Sequence, residues 1–113
     1  MRIVADSIAL AELRQMAENT FGDMVKGVVD VRRDLLAVEA EMHADLEALL
    51  LENGSRQEDL WGINLYPEAE PDELIVFDSL INIRPSAGNR SRGVESESTR
   101  REIARVVHHL VKA

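Results

Sequence analysis

Cysteine is absent from this sequence. That excludes a disulfide scaffold, a thiolate nucleophile, an iron–sulfur cluster and a cysteine-based zinc site. Proline and glycine are sparse, with three and six positions in 113 residues, and 45% of the chain is hydrophobic. It therefore reads neither as a linker nor as a disordered tail. No apolar run approaches the ~20 residues a membrane-spanning helix needs. Asp6 and Glu12 interrupt the opening residues, which do not read as a signal peptide. Neither G-x-x-x-x-G-K-[ST], G-x-G-x-x-G nor G-x-S-x-G occurs, so the usual phosphate loops and the nucleophile elbow are missing. The expectation is a single compact domain spanning residues 1–113 in the cytoplasm, with no membrane partner.

Acidic residues are abundant and uneven. Thirteen basic and 21 acidic residues give a formal charge of −8, which disfavours a long nucleic-acid duplex as partner. Between Asp34 and Asp78 there are 13 acids and one base, Arg56. Between Arg84 and Arg105 the balance reverses to six arginines and three acids. A local arginine concentration on an acidic protein suits a confined anion site, although the same arginines could pair with the acidic middle.

Hydrophobic spacing predicts the elements. Arg2–Val4 reads as a short strand, with Ser7 capping a helix over Ile8–Thr20 whose apolar face carries Leu10, Leu13, Met16, Ala17 and Phe21. Val25–Val31 and Leu35–Val38 read as strands joined by a turn at Arg32–Arg33–Asp34. A helix follows over Glu41–Glu52, stopped by Asn53–Gly54. Leu60–Tyr66 alternates as a strand, with Trp61, Ile63 and Leu65 opposite Gly62, Asn64 and Tyr66. Leu74–Ile83 reads as one long strand. Ile75, Phe77, Ser79, Ile81 and Ile83 share its core side, and Asp78, Asn82 and Arg84 fall on the other. A last helix runs over Glu97–Val111, capped by Ser96 or Ser98, with Ile103, Val106, Val107 and Leu110 as its buried stripe. The fold class expected is α/β in the α+β sense. It is a mixed, mostly antiparallel sheet of about four to five strands packed with three helices, in the approximate order βαββαββα.

Chemistry concentrates where strand alternation gathers polar groups. Asn64, Tyr66, Asp78, Asn82 and Arg84 share one sheet side, and the following loop supplies Asn89, Arg90 and Arg92 before a helix N-terminus. Loop amides, arginines and a helix start are the parts of an anion site. Asp78 and Arg84 could equally form a structural ion pair. A second constellation is His43 with Glu47, four residues apart on one helix face. His43 and Asp45 are about 200° apart and cannot clamp one ion. Two ligands make half a metal site, and a third would have to be Asp78 or Asp30. His108 and His109 splay by about 100° and read as flanks of the last helix.

The strings Met42–Glu47, Gly54–Pro67 and Phe77–Ser91, including W-G-I-N-L-Y-P and D-S-L-I-N-I-R-P, resemble a family of small bacterial proteins classed as a domain of unknown function. The resemblance runs along the full chain and implies a soluble bacterial protein. It implies no reaction, cofactor or catalytic residue. From the residues, the leading expectation is a small binding module for an anionic, phosphate-bearing ligand, a nucleotide or short RNA. Asn64, Tyr66, Asp78, Asn82, Arg84, Asn89, Arg90 and Arg92 would be its ligand-binding residues. One alternative is a metal-dependent or acid–base hydrolase using His43, Glu47 and Asp78. Another is an acidic module that binds a basic protein partner through Glu68–Glu73.

Overall fold

The computed structural model describes residues 1–113. Its strands are β1 (Arg2–Val4), β2 (Ile8–Ala9), β3 (Val25–Asp30), β4 (Leu35–Val38), β5 (Leu60–Leu65), β6 (Ile75–Val76) and β7 (Val111–Lys112). The helices are α1 (Leu10–Asn19), α2 (His43–Glu52) and α3 (Glu97–Leu110). Five strands form one antiparallel sheet in the order β1-β4-β3-β5-β6, and β2 pairs with β7 in a small parallel sheet. The fold is α+β, as the hydrophobic pattern predicts.

The central strands carry apolar residues on both sides because both sheet faces are covered. Val29, Leu36, Ile63 and Leu65 meet α1 and α3 through Leu13, Met16, Ile103, Val106 and Leu110. Val28, Leu35, Ala37 and Leu60 meet α2 through Leu46 and Leu50 on the other face. Each Val, Leu, Ile or Met side chain among these contributes about 1.5–3 kcal/mol on burial. The β3–β4 turn closes as expected. Asp30 accepts the backbone N–H groups of Arg32 and Arg33, both at 2.9 Å, and Asp34 takes the left-handed conformation with φ 55°, which Asp tolerates better than most residues.

Several boundaries differ from the expectation. Ser7 does not cap α1. Ile8 and Ala9 are drawn into a strand against Val111 and Lys112, so the helix starts later, and the Glu12 carboxylate accepts the Ala9 N–H at 3.0 Å. Phe21 lies beyond the helix and is 41% exposed, with the Lys26 ammonium 5.2 Å from its ring centroid. α2 starts at His43 because Met42 is extended. Ser96, not Ser98, caps α3, accepting the Thr99 N–H.

The largest correction concerns Leu74–Ile83. It is not one strand: pairing stops after Val76, and Leu80–Asn82 forms a 3-10 turn. The reason lies in Gly62. A Cβ there would stand 2.5 Å from the Cβ and Oγ of Ser79, so the chain crosses directly over β5 where a side chain would hold it off. Asn82 then takes the place of a paired strand. Its Oδ1 accepts the Gly62 N–H at 2.8 Å and its Nδ2 donates to the Gly62 carbonyl at 2.9 Å. The expected common faces dissolve accordingly. Leu74, Ile75 and Phe77 pack towards α1 and α3, Ile81 packs towards α2, and Ile83 is 41% exposed.

Candidate functional site

Because the Asp78–Ile81 segment rises over β5 instead of pairing with it, a cleft opens between that segment and the N-terminal end of α2. Its volume is about 370 Å³, within the range of small-ligand sites. Met24, Met42, Ala44, Leu80 and Ile81 form its apolar walls. Lys26, His43, Asn64, Tyr66, Asp78 and Arg92 bring polar groups to it. Met42 and Leu80 at the rim are 57% and 67% exposed.

Strand register builds the floor. Lys26 of β3 stands opposite Asn64 of β5, and antiparallel partners project to the same face. Asn64 is buried, and its Nδ2 makes only a long 3.4 Å contact with the Asp78 carbonyl. Its Oδ1 has no hydrogen-bond partner. Leaving a buried acceptor unpaired costs about 1–3 kcal/mol, so this carbonyl is primed for a donor from outside.

His43 opens α2 at the cleft. Its Nε2 lies 2.7 Å from the Ile63 carbonyl. A carbonyl only accepts, so Nε2 carries the proton and the neutral ring keeps its Nδ1 lone pair. Burial lowers the His43 pKa from the usual value and the Lys26 charge lowers it further, against opposing pulls from the Ile63 carbonyl, the Asp78 charge and the neighbouring Asn64 side chain. Protonation therefore favours the unfolded chain. Folding stability should be insensitive to this group above about pH 6.5 and should fall as the pH drops from there towards the lower folded value. Urea denaturation at several pH values from 5 to about 7.5 checks this: the slope should flatten in His43→Gln, which keeps a donor for Ile63.

The ion pair expected between Asp78 and Arg84 is not formed. Asp78 pairs with Arg92, whose Nε is 2.7 Å from Oδ1. Arg84 instead stacks on Trp61, 4.3 Å from the ring centroid, and its Nη groups donate to the carbonyls of Gln57 and Leu60. It clamps its loop to the start of β5. Glu47 does not meet His43; its charge acts on Arg84. Asp30 sits in the β3–β4 turn, and no group of three or more His, Asp or Glu side chains converges as a metal-ligand set. Ser79 is buried as expected, its Oγ accepting the Ile81 N–H.

The structure thus brings His43, Asn64, Tyr66, Asp78 and Arg92 together, and leaves Glu47, Asn82, Arg84, Asn89 and Arg90 outside the cleft. Asn89 is a buried loop-builder. Its Nδ2 donates to the carbonyls of Asn82, Ser91 and Gly93, and its Oδ1 accepts the Glu95 N–H. The loop amides of Arg90 and Ser91 already donate to the Glu95 carboxylate, at 2.6 and 3.0 Å, which lowers the Glu95 pKa. The Arg90 side chain is exposed and makes no ion pair. The acidic stretch is tied to the body by a Glu68–Arg14 pair at 3.1 Å.

Sequence reasoning missed Lys26, Met24, Met42 and Leu80. Lys26 is the one charged residue inside an otherwise apolar run, Val25–Val29, which marks an opening in the cover of that face. Its partnership with Asn64 follows only from the β3–β5 register.

The class this fold and cleft define is a small α+β domain, helices on both faces of an antiparallel sheet, with a polar-floored cleft at one end. The chain belongs to the protein family of unknown function DUF5674, whose model matches residues 2–110. No curated protein and no solved structure matches it. No helix is long and apolar enough to cross a membrane.

Proposed function

We propose that this protein is a small binding module whose cleft takes an anionic, phosphate-bearing ligand of nucleotide size. The observation that carries the reading is the buried, unpartnered Asn64 carbonyl on a cleft floor it shares with Lys26. Lys26 pairs with no carboxylate and supplies the charge for a phosphate. The Asn64 Oδ1 accepts from an exocyclic amine or ring N–H of a base. Met42, Leu80, Ile81 and Tyr66 provide apolar and aromatic surface against which a planar ring can lie. Arg92, paired with Asp78, forms one edge.

Isothermal titration with the nucleoside 5′-monophosphates tests this. At least one should bind, and Lys26→Ala should weaken it roughly tenfold, the equivalent of one charge-assisted hydrogen bond. Asn64→Ala should weaken adenosine and cytidine compounds more than ribose 5-phosphate, which has no base. Equal affinity in wild type and Lys26→Ala would refute the reading.

A hydrolase reading draws on one observation, the neutral His43 with an unprotonated Nδ1 beside Asp78 in the same cleft. It is the acid–base form that this favours, since His43 and Glu47 do not meet. Release of phosphate or base from a bound nucleotide, lost in His43→Gln, would replace the pure binding module with this alternative.

A further inference from the structure

A second site is built at the β3–β4 turn, from residues far apart in the chain. Arg32 and Arg33 come from that turn, and Arg56 follows α2. With Gly54 and Asp59 they line a hollow of about 250 Å³ that has no apolar wall.

Its floor is a fixed network. Asp30, 0% exposed, accepts both arginine backbone N–H groups and the Ser55 hydroxyl, the last at 2.6 Å. Ser55 Oγ in turn accepts Arg33 Nη1 at 2.9 Å, and Asn53 Oδ1 accepts Arg33 Nη2 at 3.0 Å. The Arg33 guanidinium is therefore oriented by two neutral acceptors, with the buried Asp30 carboxylate one hydrogen bond further back behind Ser55. Gly54, at φ 99°, leaves open space beside it: a Cβ there would meet only Arg33 Nη1, at 3.9 Å.

The charge balance is the telling feature. The chain has 21 acidic residues, yet neither Arg32 nor Arg33 has a carboxylate in ion-pair range, and Arg56 pairs only with its exposed neighbour Glu58 at 3.4 Å. Three arginines facing one hollow repel one another, at a cost that an anion removes. Arg33, oriented in advance, loses little side-chain entropy on binding. Asp59 is the one acid in the lining, against three arginines there, and would accept a hydroxyl group of the guest.

We propose that this hollow is a second binding site, for a phosphate group carrying two negative charges. The chemistry is shared by free phosphate and by a terminal phosphate monoester. The proposal does not rest on the cleft reading.

Amide-resolved NMR titration with inorganic phosphate tests it, at ionic strength held constant with sodium chloride. Saturable shifts are expected at Arg32, Arg33, Gly54 and Ser55. Arg32→Ala with Arg56→Ala should weaken them at least about tenfold. The Arg32 side chain makes no hydrogen bond or ion pair, so Arg32→Ala alone provides a folded variant that should lose affinity in the same direction. Arg90→Ala with Arg100→Ala, two exposed arginines elsewhere, should leave affinity unchanged. A second titration with methyl phosphate distinguishes the sources. Equal affinity supports a terminal monoester, and exclusion of methyl phosphate supports the free ion. Shifts that do not saturate, or an equal loss in the Arg90/Arg100 control, would overturn the proposal.

Discussion

Replacing Asn82 by alanine should destabilise the protein by about 3–5 kcal/mol, a large part of the 5–15 kcal/mol that holds a domain together. The side chain is 0% exposed and makes three bonds, two to the Gly62 backbone and one to the Arg92 carbonyl at 3.0 Å. Removing it strands the buried N–H and carbonyl of Gly62, while the Arg92 carbonyl keeps only the Ser79 N–H, at 2.9 Å. A melting-temperature drop of roughly 15 °C or more follows. Asn82→Leu, which keeps the volume, separates hydrogen bonding from cavity formation. It should be as unstable as the alanine variant, and a leucine variant of wild-type stability would show that packing alone holds the turn.

Gly62→Ala should have a comparable effect from the opposite side of the same contact. The added Cβ meets Ser79 Cβ and Oγ at 2.5 Å and Ile81 Cγ1 at 3.0 Å. Ser79 cannot give way by rotating, because its own Cβ is in the clash, so the backbone of the Asp78–Asn82 segment must lift. Overpacking costs about 1–3 kcal/mol, and the lift also breaks the Asn82 bonds. Ser79→Gly in the same chain removes the two nearest atoms and should restore much of the loss. The Asn82→Ala and Gly62→Ala losses should add to less than their sum, since both release one segment. Full additivity by denaturant titration would argue that the two positions act separately.

These two residues also explain what the sequence did and did not disclose. The amphipathic stripe of α3 and the β3–β4 hairpin follow from local spacing, and the structure has them where spacing puts them. The Leu74–Ile83 stretch alternates as well as any strand, but alternation cannot register that Gly62, a dozen residues earlier, allows a chain to pass over it. A side-chain amide standing in for a strand is a long-range fact. The candidate site was legible in part for the same reason. His43, Asn64, Tyr66, Asp78 and Arg92 were recognisable as polar residues among apolar neighbours. Lys26 needed the β3–β5 register, and Asn82, Asn89 and Arg84 looked like ligand groups because their partners are backbone atoms that no sequence pattern reveals. The arginine hollow was hidden because Arg56 reaches Arg32 and Arg33 only through the fold.

The most direct test of the cleft is amide-resolved NMR of the wild-type protein titrated with each nucleoside 5′-monophosphate. Saturable shifts are expected at Lys26, His43, Ile81 and the Asn64 side-chain amide, with the Pro85–Asn89 turn unmoved. Shifts confined to that turn, or to Arg32 and Gly54, or no saturable shift up to about 10 mM, well above the millimolar affinity of the weakest specific ligands, would contradict it.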